Sequence, residues 1–500
     1  MGESGEGADF LQLRSASAPA KGLTGWLVEA VRTAIADGRL KDGMRLPATR
    51  LLAGDLGISR GVVIEAYRRL AEEGLITARV GAGTVVSALP APAPRPAPTE
   101  RRLRPATGVP RLPLPPADAL VDTDLSPGVP DLSAFPRAAW LRAEREVLGR
   151  ATAADLAYGD PRGSRELRQE LAGWLGRTRG VRADVDDIII VNGVAQALAL
   201  LAQTLRLSGI SEIAVEDPGS RGAREGLAHW GLRPVPVPVD EEGMRVTELA
   251  RTGLRAALLT PAHQFPTGVV LAPRRRRELM EWAGNGALVI EDDYDAEHRY
   301  DRAPVPALQA SAPEHVAHAG SISKTLAPGM RLGWLIAPRS MQEELIDAKH
   351  ASDLGCPALP QLVLAHLTAK GDLDRHIRLT RSRYRARRDV FLTSLRRALP
   401  TIDVQGVAAG LHLLITFPDL NGAVEDTVLA DRVRRAGVLT HPLSWHRVCP
   451  GPPGLVVGYA SHPAGRLRDA ADRIAATVRQ VLSADPAVAD GASTQAKGPH

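Results

Sequence analysis

Two stretches of the chain bring together residue types that could do chemistry on an aldehyde cofactor. The first is Gly320-Ser321-Ile322-Ser323-Lys324-Thr325-Leu326-Ala327-Pro328-Gly329-Met330-Arg331. A lysine in this setting can form a Schiff base with an aldehyde. Ser321, Ser323 and Arg331 could turn toward a phosphate, Arg331 through two parallel hydrogen bonds. The second stretch is Ala287-Leu288-Val289-Ile290-Glu291-Asp292-Asp293-Tyr294-Asp295. Its apolar run reads as a buried parallel strand, and acids bunched where such a strand ends belong at the ligand-binding edge of an α/β sheet. There Asp292 could pair with a protonated pyridine nitrogen and make the ring an electron sink. Tyr294 lies on the same side of an extended chain and could bond a ring hydroxyl. A lone lysine is more often a solvated surface charge; the two stretches support each other.

Such residues need an alternation of strands and helices to hold them, and the chain supplies it. Asp187 to Val191 reads as a strand, and Asn192-Gly193-Val194-Ala195-Gln196 turns it into a helix that ends near Leu205. The free N–H groups of Val194 and Ala195 at that helix start suit a phosphate. Ile213 to Ser220 gives the next strand and turn, and Ala256 to Thr260 leads into a loop, His263 to Gly268, where His263 or Gln264 could donate a hydrogen bond. Upstream, Ser164 to Leu175 forms a helix that turns Leu167 and Leu171 inward. Downstream come helices at Gln342 to Ser352, Gln361 to Thr368 and Leu373 to Leu399, the last crossing into a small C-terminal domain. Its strands are Leu411 to Phe417 and Gly454 to Ala460.

The first quarter of the chain has a different character. Residues 1–115 hold 16 Lys+Arg against 11 Asp+Glu, which accounts for the whole net charge of +5 and suggests a polyanionic partner there. Leu23, Leu27, Val31 and Ile35 mark one face of a helix; a second helix follows Pro47, from about Ala48 to Leu56. Gly57 makes a turn, and Ser59 is a good N-cap for a third helix. Two short helices joined through a glycine turn are a helix-turn-helix. From Ala88 to about Pro116 proline dominates, as in a semi-rigid linker. Two cysteines, Cys356 and Cys449, argue against a disulfide framework or a zinc cluster. The absence of a long apolar run argues against a membrane span. The expected setting is cytoplasmic, with disordered segments at 1–21 and 486–500.

With these motifs in view, the chain resembles the MocR-type regulators, a branch of the GntR superfamily, over about residues 22 to 480. Leu46-Pro47-Ala48-Thr49-Arg50 and Leu56-Gly57-Ile58-Ser59-Arg60 resemble the GntR helix-turn-helix. Thr260-Pro261-Ala262-His263-Gln264-Phe265-Pro266-Thr267-Gly268, Glu291 to Asp295 and the lysine stretch resemble the family's cofactor site. The resemblance implies an α/β chain: a winged helix at 22–87, the linker at 88–116, and at 117–485 a large domain of the fold-type I transferase class with a small C-terminal α/β domain. It implies pyridoxal 5'-phosphate (PLP) as cofactor, with Lys324 as its Schiff-base lysine.

In that resemblance Asp292, Tyr294, His263, Ser321, Ser323, Arg331, Val194 and Ala195 surround the cofactor, and Tyr158 approaches the cofactor phosphate of the partner subunit of a homodimer. Ser59 to Arg69 becomes the recognition helix, Gly81-Ala82-Gly83 the tip of the wing between strands Ile76 to Val80 and Thr84 to Ser87. Arg50, Ser59, Arg60, Val62, Arg79 and Gly83 then meet an operator duplex. Two departures stand out. Relatives usually carry a ring-stacking aromatic where Ser220 stands, and many aminotransferases hold the substrate carboxylate with an arginine near Val456 and Val457. Three readings follow: a regulator that senses PLP or an amino compound joined to it, a working aminotransferase with an added DNA-binding domain, and a regulator that has lost its cofactor.

Overall fold

The computed structural model describes residues 19, 21–79, 83–87, 121–301, 303–420 and 424–484. The Pro-rich linker and the two terminal segments expected to be disordered fall, Pro19 and Lys21 aside, outside these residues, as do Val80, Gly81 and Ala82 of the wing. The chain divides into two compact units, Met1–Ala106 and Thr107–His500.

The first unit packs helices α1 (Leu23–Ala36), α2 (Thr49–Leu56) and α3 (Arg60–Glu72) against an antiparallel pair, β1 (Ile76–Arg79) and β2 (Gly83–Val86). The buried face of α1 is Leu27, Val28, Val31 and Ala34. It is therefore turned slightly from the expected one, with Leu23 and Ile35 at its margins. Gly57 ends α2 in the left-handed region at φ 62, as the turn between the two helices requires. The Ser59 side chain accepts from the Val62 N–H, so the expected N-cap of α3 is present. Arg45 bridges Val85 and adds a third strand position to the wing.

The second unit opens with β3 (Thr123–Asp124), α4 (Arg137–Arg150) and α5 (Arg165–Arg179), and then builds an eight-stranded sheet. Its strands are β4 (Ile188–Val191), β5 (Glu212–Asp217), β6 (Arg233–Asp240), β7 (Gly243–Met244), β8 (Ala256–Leu259), β9 (Leu288–Asp293), β10 (Val316–Ser321) and β11 (Gly333–Ile336), in the order β4-β11-β10-β9-β8-β5-β6-β7. The run β10-β9-β8-β5-β6 is parallel; β11 runs antiparallel to β10 and β4, and β7 to β6. Helices α6 (Val194–Leu207), α7 (Arg221–His229), α8 (Val246–Arg251), α9 (Pro273–Gly284), α10 (Gln342–Asp353) and α11 (Ala358–Ala369) cover it. Strands buried on both faces explain the unbroken apolar runs of the sequence.

Helix α12 (Asp372–Ala398) leaves this core and enters the next. Its Leu373 and Ile377 pack with Trp174 and Trp334, while Tyr384, Phe391 and Leu395 belong to the C-terminal core. That core is the antiparallel sheet β12 (Asp403–Gln405), β13 (His412–Thr416), β16 (Gly454–Gly458) and β15 (His441–Pro442), with α13 (Asp426–Arg435) and α14 (Ala464–Ala484). A short strand β14 (Val438–Leu439) pairs with β3, fixing the entry segment to this domain.

Candidate functional site

Parallel strands deliver their C-terminal ends to one edge of a sheet, and here those ends carry the chemistry. Strand β4 ends at Asn192-Gly193, β5 at Asp217 to Ser220, β8 at Thr260, β9 at Asp292 to Tyr294 and β10 at Ser321 to Lys324. The antiparallel β11 starts at the same edge, just after Arg331.

Lys324 Nζ donates to Gly128 O at 2.6 Å. Burial pulls its pKa down, and the carboxylates of Asp295 and Asp292 only partly offset this. Gly128 belongs to the entry segment and adopts φ 78, a left-handed conformation that favours glycine; a Cβ there would stand 2.9 Å from Nζ. Asp292 is held near neutrality: burial, then the adjacent Asp293, raise its pKa to about 7 against the pull of Lys324. Its Oδ1 is buried and has no hydrogen-bond partner among the described residues. Buried polar atoms in native proteins are nearly always paired, so this oxygen marks a place for a ligand donor.

Arg331 adopts φ 51 and donates through Nη2 to Asn192 O, across the start of α6. Gly193, at φ 81, faces that guanidinium; a Cβ there would lie 3.2 Å from Arg331 Nη1. Arg331 and the unshared N–H groups of Val194 and Ala195 thus frame an anion cradle at a helix start. Ser321 is buried with Oγ accepting from the Ser323 N–H at 3.4 Å, and Ser323 is half-buried on the same turn.

The loop after β8 corrects one expectation, that Gln264 could be a donor. His263 is buried, with Nδ1 at 3.0 Å from Asp295 Oδ2 and 3.1 Å from the Tyr294 hydroxyl. Gln264 is not a free donor, because Nε2 bonds Pro218 O and Phe265 O while Oε1 accepts from Thr267; the side chain is used up in shaping the loop. Tyr294 OH donates to His263 O at 3.0 Å. Tyr158 is 90% exposed, on the loop before α5.

Several participants were not named from sequence. Glu216, at the end of β5, bonds Thr260 N and Oγ1 and is raised to about 7 by burial. Behind Asp292, Arg179 Nε bonds Asp293 Oδ2 at 2.7 Å, and His318 stands 3.3 Å from Glu291, all buried. His412 and His446 flank Phe265 with ring centroids at 4.9 and 5.0 Å; burial drops both to about 3, and none of their four ring nitrogens has a partner. His412, His263 and Asp295 also lie close enough for their ligand atoms to share one ion, although His263 Nδ1 is already engaged by Tyr294 and Asp295. The two departures have structural answers. Ser220 caps α7 by accepting from Ala223 N, and Val456 is fully buried against Leu414, Leu443 and Phe265. Arg447 is turned to Pro452 O on its own loop, and Arg224 to the carbonyls of Gly219 and His446.

In the first unit, Arg50 opens α2 and Arg60 opens α3; both are exposed. Val62 is half-buried, with its N–H capped by Ser59. Arg79 closes β1 opposite Gly83; its side chain lies outside the description. Arg45, not singled out from sequence, is exposed with its guanidinium against Gly83, where a Cβ would stand 2.9 Å from Nε. The sequence signal was its place one residue before Leu46-Pro47.

The two units match two family models: bacterial regulatory proteins of the gntR family over residues 24–86, and aminotransferase class I and II over residues 122–474. The chain is similar over its length to the probable rhizopine catabolism regulatory protein MocR of Rhizobium meliloti, with 32% identity covering 94% of this chain and 97% of the relative. It is 34% identical to the HTH-type pyridoxine biosynthesis transcriptional regulator PdxR of Corynebacterium glutamicum, over 88% of this chain and 93% of that one. The chain therefore belongs to the MocR-type branch of the GntR regulators. Its large domain is similar in structure to a multiple substrate aminotransferase from Thermococcus profundus, with TM-score 0.67 and 26% identity over 73% of this chain and 94% of the enzyme. No helix of the described residues is long and apolar enough to cross a membrane.

Proposed function

We propose that this protein is a cytoplasmic, homodimeric transcriptional regulator that binds operator DNA through its first unit and senses PLP, or an amino compound joined to it, through its second. The observation that carries the sensing half is the unpartnered, buried Oδ1 of Asp292 at the sheet edge that also presents Lys324 and Arg331. These residues fit the group. A carboxyl poised at about 7 can hold or release the proton shared with a pyridine nitrogen. A lysine whose amine is pushed down by burial is available as a nucleophile, and the Gly193–Arg331 cradle suits a phosphate. Bound there, PLP would supply an aldehyde for attachment to an amine and a ring able to accept electrons.

The enzyme reading has a specific observation in its favour, since Lys324 and Asp292 stand in a domain that shares its fold with working aminotransferases. Against it, the region where many such enzymes hold a carboxylate is occupied by buried Val456, and Arg224 and Arg447 are committed to backbone carbonyls. Regulation of vitamin B6 or amino-acid metabolism genes fits the relatives, one of which is named for pyridoxine biosynthesis. The test is borohydride reduction of PLP-saturated protein followed by peptide mapping. The label should fall on Lys324 and vanish in Lys324→Ala; label elsewhere, or none, removes the sensor. Steady transamination of amino acids by the loaded protein would favour the enzyme reading.

A further inference from the structure

One face of α3 has a composition that the winged helix does not need for itself. Arg60, Gly61, Ile64 and Arg68 share this face, opposite the buried Val63, Ala66, Tyr67 and Leu70. Ile64 is 48% exposed. A single exposed aliphatic is ordinary, so its neighbours decide its meaning. Gly61 is a poor helix former whose backbone needs no positive φ. A Cβ there would meet only Ser59 Oγ, at 3.9 Å, which is ordinary contact. The domain would accept alanine at this position. What the missing Cβ offers is access for a partner to the helix between Arg60 and Ile64.

The charges show which end of α3 that partner meets. Arg68 bonds Glu65 and Glu72, and Arg69 bonds Glu65, so the second half of the helix is neutralised. Among the described residues Arg60 has no acidic partner, and neither do Arg45 and Arg50. Each of these two stands beside another exposed apolar side chain, Met44 at 44% and Leu51 at 63%. Tyr67 OH bonds Pro47 O at 3.0 Å and so fixes the segment leading into α2 against α3. A polyanion is drawn to the first turns of α3, where the exposed side chains are Arg60 and Ile64 around a glycine.

We infer that Ile64 reads the 5-methyl group of a thymine in the major groove, with Gly61 admitting the base edge. This rests on the DNA-binding reading above and adds the feature of the base that is recognised. The thymine methyl is the apolar group that base pairs present in that groove, and an isoleucine has no polar atom with which to read any other mark. Arg60 and Ile64 are about 6 Å apart along the helix axis, at 1.5 Å per residue. The methyl should therefore lie one or two base pairs from the Arg60 contact, with base pairs about 3.4 Å apart.

The test uses full-length protein and a duplex enriched by it from a randomised pool. Each thymine of that duplex is replaced in turn by deoxyuridine, which removes only the methyl group. One position per half-site should lose about fourfold in affinity, the transfer free energy of one buried CH₂-sized group. With Ile64→Ala the same substitution should cost nothing, while sensitivity elsewhere is unchanged. Ile64→Asn should move the preference at that position from thymine toward adenine, which asparagine pairs in bidentate fashion. Gly61→Ala should weaken binding to every sequence while its melting temperature stays level or rises. Methyl sensitivity absent from the wild type, or persisting in Ile64→Ala, overturns the inference, as does unaltered binding by Gly61→Ala. Failure of the wild type to enrich any duplex instead sinks the DNA-binding reading on which it rests.

Discussion

At the scale of the residue, the sheet edge concentrates acids that cannot all ionise. Asp292, Glu216 and Glu297 are each raised to about 7, with burial the first cause in every case. For Asp292 the linkage has a definite sign. Below its ordinary value of 3.8 it is protonated in both folded and unfolded chains. As pH rises toward about 7 the unfolded carboxyl ionises freely and the folded one resists, so stability falls, by about 4 kcal/mol at the plateau. Asp292→Asn carries no such titration. Cofactor-free wild type should therefore lose stability relative to Asp292→Asn between pH 4 and pH 8, read from thermal melts, and parallel pH profiles would refute the assignment. Lys324, Asp292 and Arg331 could be picked out in the sequence because their types and spacing announce the chemistry. The orphaned Oδ1 could not, since it depends on what fails to reach Asp292 in three dimensions. His412 and Glu216 were missed for a related reason: their neighbours Phe265 and Thr260 come from a different segment of the chain.

At the scale of the element, the strands and helices were legible wherever periodicity spoke. The apolar runs before Asp292 and Asn192 became β9 and β4, Ser59 and Ser164 became N-caps, and Leu167 and Leu171 of α5 are buried as expected. Ends were less legible. Helix α5 continues to Arg179 rather than Leu175; its stop signal is Gly180, left-handed at φ 67, after the basic last turn of Arg177 and Arg179. Arg179 there bonds Asp293 on β9 and Val305 O, joining the helix end to the strand that carries Asp292. Both side chains are buried, so Arg179→Met should leave Asp293 with only His318, 3.7 Å away, as a counter-charge and cost about 3–5 kcal/mol at neutral pH. Removing the stranded carboxylate as well, by adding Asp293→Asn to Arg179→Met, should recover part of the deficit. Melts of the wild type and both variants at neutral pH check this; a deficit that Asp293→Asn leaves untouched would mean that lost packing, and not the charge, sets the cost.

At the scale of the whole molecule, a gntR-family unit with its own core shares the chain with a domain of the aminotransferase fold. Dimerisation through the second unit, with exposed Tyr158 reaching toward the partner's site, would place two heads on one chain pair; sedimentation of PLP-loaded protein as a monomer would refute the shared site. Two tethered heads act at high effective concentration, so fragment 1–90 should bind an enriched duplex far more weakly than the full chain. Affinity should fall with salt at a slope of about −0.9 per phosphate neutralised. The free guanidinia predict which residues set that slope. Arg45→Ala and Arg50→Ala should each reduce it by about one unit if they meet phosphates. Arg60→Ala should cost about 1–3 kcal/mol and relax one position if it reads a guanine edge, or weaken all sequences evenly if it meets a phosphate. Arg68→Ala is the control: held between Glu65 and Glu72, Arg68 already has its counter-charge and should leave the slope unchanged. Lys324→Ala should bind DNA as the wild type does and yet lose the response to PLP, because in the proposed function that lysine is assigned to the ligand and not to the duplex. Gel-shift titrations over a salt series, with and without PLP, read all of these at once. A slope that responds to Arg68 but not to Arg45, Arg50 or Arg60 would place the duplex at the other end of α3. A PLP response surviving in Lys324→Ala would mean that the signal crosses the linker without attachment at the sheet edge.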